Sequence, residues 1–397
     1  MENMKWASAI SENPSAPEAA EECAQAVLKD LGSGPDIAFV FISPQHSRHY
    51  DRTVREIRSR LNCKALLGCS AVGIIGGGRE TEEKPAMSVT CAVLPDVKLS
   101  VFHVAQDDLP DMDDRPKAWH DLIGVSPDKD TGFVLMADPF SIDADRFVKG
   151  LDYAFAGSVK VGGLSSGATK PRENALFLNQ HTFREGLVGA ALSGNVFLDA
   201  VVAQGCRPIG EPMTITACEE GVLLELDGKP PMKVLEELFE DLPPRDRELL
   251  RTSLFLGIVM DPTLSDLSRG DFLIRNIVGA DPERGVLAIG AELRAGQTVQ
   301  FHLRDAQTSA EDLSLMLTDY AAKKKKAGVR AGLLFSCLGR GVYLYGTPDH
   351  DSRVFKKLVA DVPMGGFFCN GELGPVHNAT HIHGYTSCFG IFREKAG

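Results

Sequence analysis

The sequence lacks an excess of positive charge, a long clean apolar run, any closely paired cysteines and any cofactor signature, and each absence removes a class of function. Lys and Arg total 42 against 54 Asp and Glu, a formal charge of −12. An acidic surface repels phosphate backbones, which argues against nucleic acid as a partner. The longest apolar stretch, Leu187 to Ala203, is broken by Ser193, Asn195 and Asp199. It falls short of the roughly 20 clean residues of a membrane span. The nine cysteines are odd in number and widely spread, with no CxxC pair. That pattern fits reduced thiols in a cytoplasmic protein better than a disulfide frame or a zinc knuckle. The opening MENMKWASAISENP has neither an apolar h-region nor an arginine-rich amphipathic run, so no export or transit signal is expected. No GxGxxG, GxxxxGK[ST] or HExxH pattern is present, and Gly76-Gly77-Gly78 alone is no phosphate loop. No cofactor is expected.

What is present is a repeated unit. A short apolar strand leads through a polar loop into an amphipathic helix, and then into a strand with closely spaced glycines. The first copy runs from IAFVFIS (37–43) through Val54, Ile57 and Leu61 to ALLGCSAVG (65–73). The second runs from FVLMAD (133–138) through Phe147, Leu151 and Ala154 to KVGGLSSGA (160–168). The third runs from GLLFSC (332–337) through Phe355, Leu358 and Val359 to PMGGFFCNGELG (363–374). Alternating strands follow each copy, such as MSVTCAVL, GLVGAALSG and HGYTSCFGIF. The fold class expected is α/β: repeated βαββ-type units forming mixed sheets, with helices packed outside.

Ahead of the first copy, Ser15-Ala16-Pro17-Glu18 reads as a capping box. It opens a helix carrying Ala20, Cys23, Ala24, Val27, Leu28 and Leu31, which Gly32 ends. Between copies two and three lies a different region. It holds a strand at Val222–Leu226, a helix with Val234, Leu235, Leu238 and Phe239, and strands at hairpin-like spacing up to TVQFHLRD. A second capping box, Ser309 to Asp312, precedes the helix with Leu313, Met316, Leu317 and Tyr320. The lysine run Lys323 to Lys326 reads as its solvated C-terminal end. Glycine and proline in GCRPIGEP (205–212) interrupt the strand pattern, so two domains are expected, 1–205 (with 1–14 as a leader) and 206–397.

The glycine-bordered strands carry the candidate site. Glycine inside a strand costs stability, and its repeated use there points to bulges or close approach by another backbone or a ligand. Ser165 and Ser166 are framed by glycines in the second copy, and Asn370, Gly371 and Glu372 occupy that place in the third. Cys337, Gly339 and Arg340 leave the end of an apolar strand, a common position for ligand groups in α/β proteins. Arg340 would take a ligand carboxylate with its planar fork, while Asn370 and Glu372 would hold an amine or amide. His377, His381 and His383 have a spacing that two metal ligands could use, but no second cluster supports a metal. Cys337 with His383 as base is the enzymatic alternative.

Read together, the segments PDIAFVFIS, LLGCSAVG and VGGLSSG, then LDGKPPMKVLEEL and RNIVGADPERGVLAIGAELRAGQTVQFHLRDA, resemble those of FIST-domain proteins. The endings LLFSCLGRG, GFFCNGELGPV and HGYTSCFGIF complete the resemblance, which covers both FIST N and FIST C halves from about residue 20 to 393. It implies an intracellular sensory and signal-transduction role with a small ligand, amino acids or similar small carboxylates being the implied class. It supplies no binding residues to carry over. No F-box is expected ahead of the FIST region, and no kinase, cyclase or chemoreceptor output segment is read. A sensor of this form would signal through a separate signalling protein or through its own assembly. The alternative is an interaction scaffold or adaptor. The candidate ligand set is Ser165, Ser166, Cys337, Gly339, Arg340, Asn370, Gly371, Glu372 and His383.

Overall fold

The structure is a computed structural model that describes residues 3–127, 130–324 and 328–395. Its first copy holds β1 (Lys5–Ser11), α1 (Ala16–Leu31), β2 (Ile37–Ile42), α2 (Tyr50–Leu61), β3 (Ala65–Ser70), the hairpin β4 (Gly73–Gly76) and β5 (Arg79–Glu82), and β6 (Met87–Val93). The second repeats that order as β7 (Val97–Val104), α3 (Pro116–Ile123), β8 (Gly132–Ala137), α4 (Ala144–Ala154), β9 (Lys160–Leu164), the hairpin β10 (Leu176–Leu178) and β11 (His181–Phe183), and β12 (Leu187–Gly194).

The third copy begins with β13 (Val196–Ala203) and is then interrupted. The insertion comprises β14 (Arg207–Glu219), β15 (Val222–Leu226), α5 (Pro231–Asp241), α6 (Pro244–Thr252), β16 (Leu254–Val259), β17 (Phe272–Asp281), β18 (Val286–Ile289) and β19 (Thr298–Leu303). The copy resumes with α7 (Ala306–Lys324), β20 (Val329–Cys337), α8 (Gly341–Tyr345), α9 (His350–Leu358), β21 (Met364–Cys369), the hairpin β22 (Glu372–Val376) and β23 (Ala379–His383), and β24 (Ser387–Glu394).

Each copy centres on two parallel strands, β2/β3, β8/β9 or β20/β21. Its hairpin, however, joins another copy's sheet. β4–β5 pairs with β21, β10–β11 with β3, and β22–β23 with β9. Three six-stranded mixed sheets result, in the orders β1-β6-β2-β3-β10-β11, β7-β12-β8-β9-β22-β23 and β13-β24-β20-β21-β4-β5. The exchange is cyclic, so no copy completes its sheet alone.

Alternation along the parallel strands explains the layering. In β2, Ile37, Phe39 and Phe41 join the central core, while Ala38, Val40 and Ile42 meet α1 and α2. In β8, Val134 and Met136 face the centre, and Phe133, Leu135 and Ala137 lie with residues of α3 and α4. Ala331, Leu333 and Phe335 of β20 complete the central face. The helices sit outside, as expected.

The inserted strands close into a barrel in the order β14-β15-β18-β17-β16-β19. Its core includes Ile215, Leu223, Leu256, Val299 and Phe301. The chain therefore forms two compact units. One is Met1–Val202 with Ser314–Ile382 and Thr386–Gly397; the other is Ala203–Leu313 with His383–Tyr385. The expected division at residue 205 lies beside the first crossing, but the chain after Ser314 rejoins the first unit because it supplies the third copy's remaining strands. The segment 205–212, read as an interruption, enters the long strand β14 instead. Residues 5–11, read as part of a leader, form β1 and pair along their whole length with β6.

Both capping boxes are replaced by other contacts. Ser15 makes no side-chain cap; Asn13 accepts from the Ser15 amide and donates to Glu18. The Thr308 amide donates to Asp305, and Ser309 Oγ donates to the Gly205 carbonyl. Of the lysine run, Lys325 and Lys326 lie outside the described residues. Among the described residues no helix is long and apolar enough to cross a membrane.

Candidate functional site

The parallel registers align Gly68 with Val40, Gly162 with Leu135 and Gly366 with Leu334. Five residues later each strand end carries a second glycine: Gly73, Gly167 and Gly371. The residues between them converge from three copies into one hydrogen-bonded cluster. Ser165 Oγ donates to the Ser70 carbonyl at 2.6 Å, and Ser166 Oγ to that of Phe368 at 2.5 Å. The Val72 amide donates to Ser166 Oγ at 3.3 Å, and Asn370 Nδ2 to the Ser165 carbonyl at 3.3 Å. The Leu164 amide meets the Gly371 carbonyl at 2.8 Å, and the Asn370 amide meets that of Leu164 at 3.1 Å. Ser165, Ser166 and Glu372 are buried, whereas Asn370 and Val72 are exposed at the edge. Glu372 accepts from the Thr386 amide at 3.1 Å.

Five of the sequence-derived residues are thus brought together: Ser165, Ser166, Asn370, Gly371 and Glu372. Cys337 and Gly339 stand beside them. Cys337 neighbours Cys369 across β20 and β21, its sulfur accepts from the Gly339 amide at 3.5 Å, and Leu338 donates to the Cys369 carbonyl. His383 is buried at the end of β23 and falls with the barrel unit.

Arg340 takes a different place from the one expected. It is fully buried, and Nε and Nη2 lie 2.8 and 3.2 Å from the two oxygens of Asp351, with Nη2 also 2.6 Å from Tyr345 OH. Its fork is engaged by a carboxylate of the chain itself, so Arg340 serves as an internal counter-ion. Asp351 also accepts from Ser336 Oγ at 3.4 Å and from Ser387 Oγ, and lies 2.9 Å from His350 Nδ1. The His350 ring stacks on Tyr345 with centroids 3.5 Å apart. Burial alone would push the Asp351 carboxyl up, but the Arg340 guanidinium outweighs it and holds the group well below the ordinary range. None of these partners was read from the sequence. Asp351 follows Arg340 by eleven residues, and no local pattern links them.

Glu80 of β5 belongs to the same surroundings, accepting from the Ser352 amide at 2.7 Å and hydroxyl at 2.6 Å. Burial and then the neighbouring Asp351 charge push its pKa up to about 8. A carboxyl whose folded pKa is raised stabilises the fold fully below its unfolded pKa, and that stability is lost as pH rises through about 8. Glu80→Gln keeps an acceptor for Ser352 and has no proton to lose. Urea unfolding from pH 5 to 9 should show the wild type losing stability with pH, by at most about 1.4 kcal/mol per unit. The variant should stay flatter and become the more stable of the two at pH 9. Parallel curves would exclude this account.

One pattern escaped the sequence reading: Gly163-Leu164-Ser165-Ser166-Gly167 has the Gly-x-Ser-x-Gly spacing of a nucleophile elbow. An elbow needs a strand-to-helix turn with an exposed hydroxyl. Here the segment leads into a loop and the hairpin β10–β11, and Ser165 is buried with its hydroxyl donated to Ser70. The thiols of Cys369 and Cys388 are pushed up by burial and then by Glu372, which disfavours their thiolates. Among the described residues no group of three His, Cys, Asp or Glu side chains is placed to hold a metal ion.

Comparison with known proteins sets this arrangement in a family. A FIST N domain model matches residues 36–229 and a FIST C domain model matches 231–375. The chain belongs to the FIST family. An uncharacterized protein from Mycobacterium tuberculosis (strain CDC 1551 / Oshkosh) is 34% identical over 387 residues, covering 96% of this chain and 98% of the relative. One from Mycobacterium bovis is 31% identical, covering 96% and 97%. An F-box/LRR-repeat protein of Arabidopsis thaliana is 26% identical over 167 residues, 40% of this chain and 31% of that protein. Among solved structures, the cyanuic acid hydrolase from A. caulinodans gives a TM-score of 0.37 at 8% identity over all of both chains, a likeness too low to carry an argument. The border between the FIST N and FIST C matches falls within the barrel, so the sequence halves and the compact units divide the chain differently.

Proposed function

We propose that the protein is a cytoplasmic sensory protein that binds a small ligand, an amino acid or similar small carboxylate, at the converging strand ends. The observation that carries this reading is the cluster of Ser165, Ser166, Asn370, Gly371 and Glu372, assembled from copies far apart in sequence. Such a cluster of amides, hydroxyls and a buried carboxylate resembles a polar recognition set, held in place by its own hydrogen bonds between strand ends. Asn370 at the edge would make first contact, and Glu372 beneath would receive an amine. Cys337 and Gly339 form the adjoining rim, with Arg340 fixing the loop behind them through Asp351.

The same loop continues into α8, where Val342 and Tyr343 are 43% and 84% exposed. Apolar side chains exposed directly after a rim residue suit an output surface for a separate signalling protein. Ligand occupancy would reach that surface through Gly339 and Arg340.

A thermal-shift screen of amino acids and small carboxylates tests the reading. A ligand at 100 times its dissociation constant adds about 2.7 kcal/mol, enough to raise the melting temperature visibly. Asn370→Ala should weaken a hit at least about tenfold while leaving the unliganded protein near its normal stability, because the side chain is exposed. A hit that Asn370→Ala leaves unchanged places the ligand elsewhere, and silence across the panel in folded protein sinks the sensor reading.

A further inference from the structure

The three copies are filled unequally at one recurring seam. In the first copy Trp6 stands opposite Ala92, which stands opposite Ile37 at the start of β2. In the second, Leu99 stands opposite Leu192, which stands opposite Gly132 at the start of β8. Leu99 is therefore the counterpart of Trp6. The Trp6 ring is buried, with its centroid 4.5 Å from that of Phe392 and 6.4 Å from that of Phe39. Phe392 in turn stands opposite Ala331 on β20, the register place that Ala92 holds opposite Ile37. Where one seam is closed by an indole and a benzyl group, the corresponding seam beside β7 has an isobutyl and a methyl group.

At that seam the structure has a cleft of about 590 Å³. Its apolar wall is made by Val93, Leu94, Val97, Leu99 and Val101. Its rim carries Lys64 and Asp36, paired at 2.6 Å, with Lys64 81% exposed. The cleft opens to solvent, and Val93, Val97, Leu99 and Val101 are only half-buried along it.

We infer that this seam binds a planar bicyclic aromatic molecule of indole size, seated where the first copy seats its own Trp6. The apolar wall receives the ring, and the Lys64–Asp36 pair offers a donor and an acceptor to a polar substituent. None of the strand-end residues lines this cleft, so the site stands or falls apart from the ligand reading above.

Indole itself is the probe. Titrated into methyl-labelled protein, it should shift the methyl signals of Val93, Leu94, Val97, Leu99 and Val101 saturably, with a midpoint below about 5 mM for a ligand of this size. The methyls of Val27, on the outer helix α1, should stay put. Leu99→Trp, which supplies the ring covalently, should abolish the response without lowering the melting temperature. Ser166→Ala should leave it intact. Unmoved methyls up to the solubility limit of indole would overturn the proposal. So would a folded Leu99→Trp protein that still binds indole like the wild type. If Leu99→Trp does not fold, the wild-type titration alone decides.

Discussion

Gly366→Ala is expected to destabilise the protein by at least about 4 kcal/mol, among the largest effects a single methyl group can have. A Cβ at Gly366 would stand 1.9 Å from the Leu334 carbonyl oxygen and 2.7 Å from its carbon. Those are backbone atoms of the paired strand β20, so no side-chain rotation relieves the overlap. Either the two parallel strands separate or the register breaks, and either change reaches the central core through Leu333 and Phe335. The repeat makes the prediction threefold. A Cβ at Gly162 would stand 1.9 Å from the Leu135 oxygen, and one at Gly68 would stand 1.7 Å from that of Val40. Alanine at each should cost about the same, measured as soluble yield and urea midpoint. Gly384→Ala, which meets nothing within 4 Å, serves as the control and should stay within about 0.5 kcal/mol. Three variants with unrelated costs would mean that the copies are alike in outline only.

This equivalence shows how far the sequence could be read. The repeated strand–helix–strand unit was legible because both periodicities were strong. IAFVFI, FVLMA and GLLFS are buried on both faces, and the helices between them alternate polar and apolar residues every three to four positions. The glycines marked close backbone approach, and they occur where the strands crowd. The cyclic exchange of hairpins was not legible. Each hairpin has the same local signals whichever sheet receives it, and only long-range pairing decides. β1 was hidden because KWASAIS alternates weakly, with Trp6 and Ile10 its only large apolar residues. β14 was hidden because Pro208, Gly210 and Pro212 lie in it, and its register against β19 is irregular between Ile209 and Met213. In the site, residues next to glycines were found and their partners were missed. Asn370 and Glu372 announce themselves by their setting, whereas Asp351 and Glu80 are placed by contacts 11 and 272 residues away in the chain.

Arg340→Met should cost about 3–5 kcal/mol, because it leaves the Asp351 carboxylate buried without its guanidinium. The burial of both groups makes the loss large: Arg340 is wholly inaccessible and Asp351 is 1% exposed. Asp351→Leu should also be costly alone, since it strands the Arg340 charge. The two together should cost clearly less than the sum, for an ion pair replaced by apolar groups of similar volume is often near neutral. A coupling of at least about 2 kcal/mol in this cycle, from urea unfolding at pH 7, is the expected result. The pH dependence supplies an independent check. Arg340 holds the Asp351 carboxyl below its ordinary range, so this stabilisation is present above the unfolded pKa and fades as pH falls. The gap between wild type and Arg340→Met should therefore narrow on moving from pH 7 toward pH 3. Should the gap stay constant, Arg340 contributes through its packing on Tyr345, whose ring centroid lies 5.6 Å from the guanidinium carbon, and not through its charge. A narrowing gap with strong coupling would identify the pair as the electrostatic anchor of the loop between Cys337 and α8.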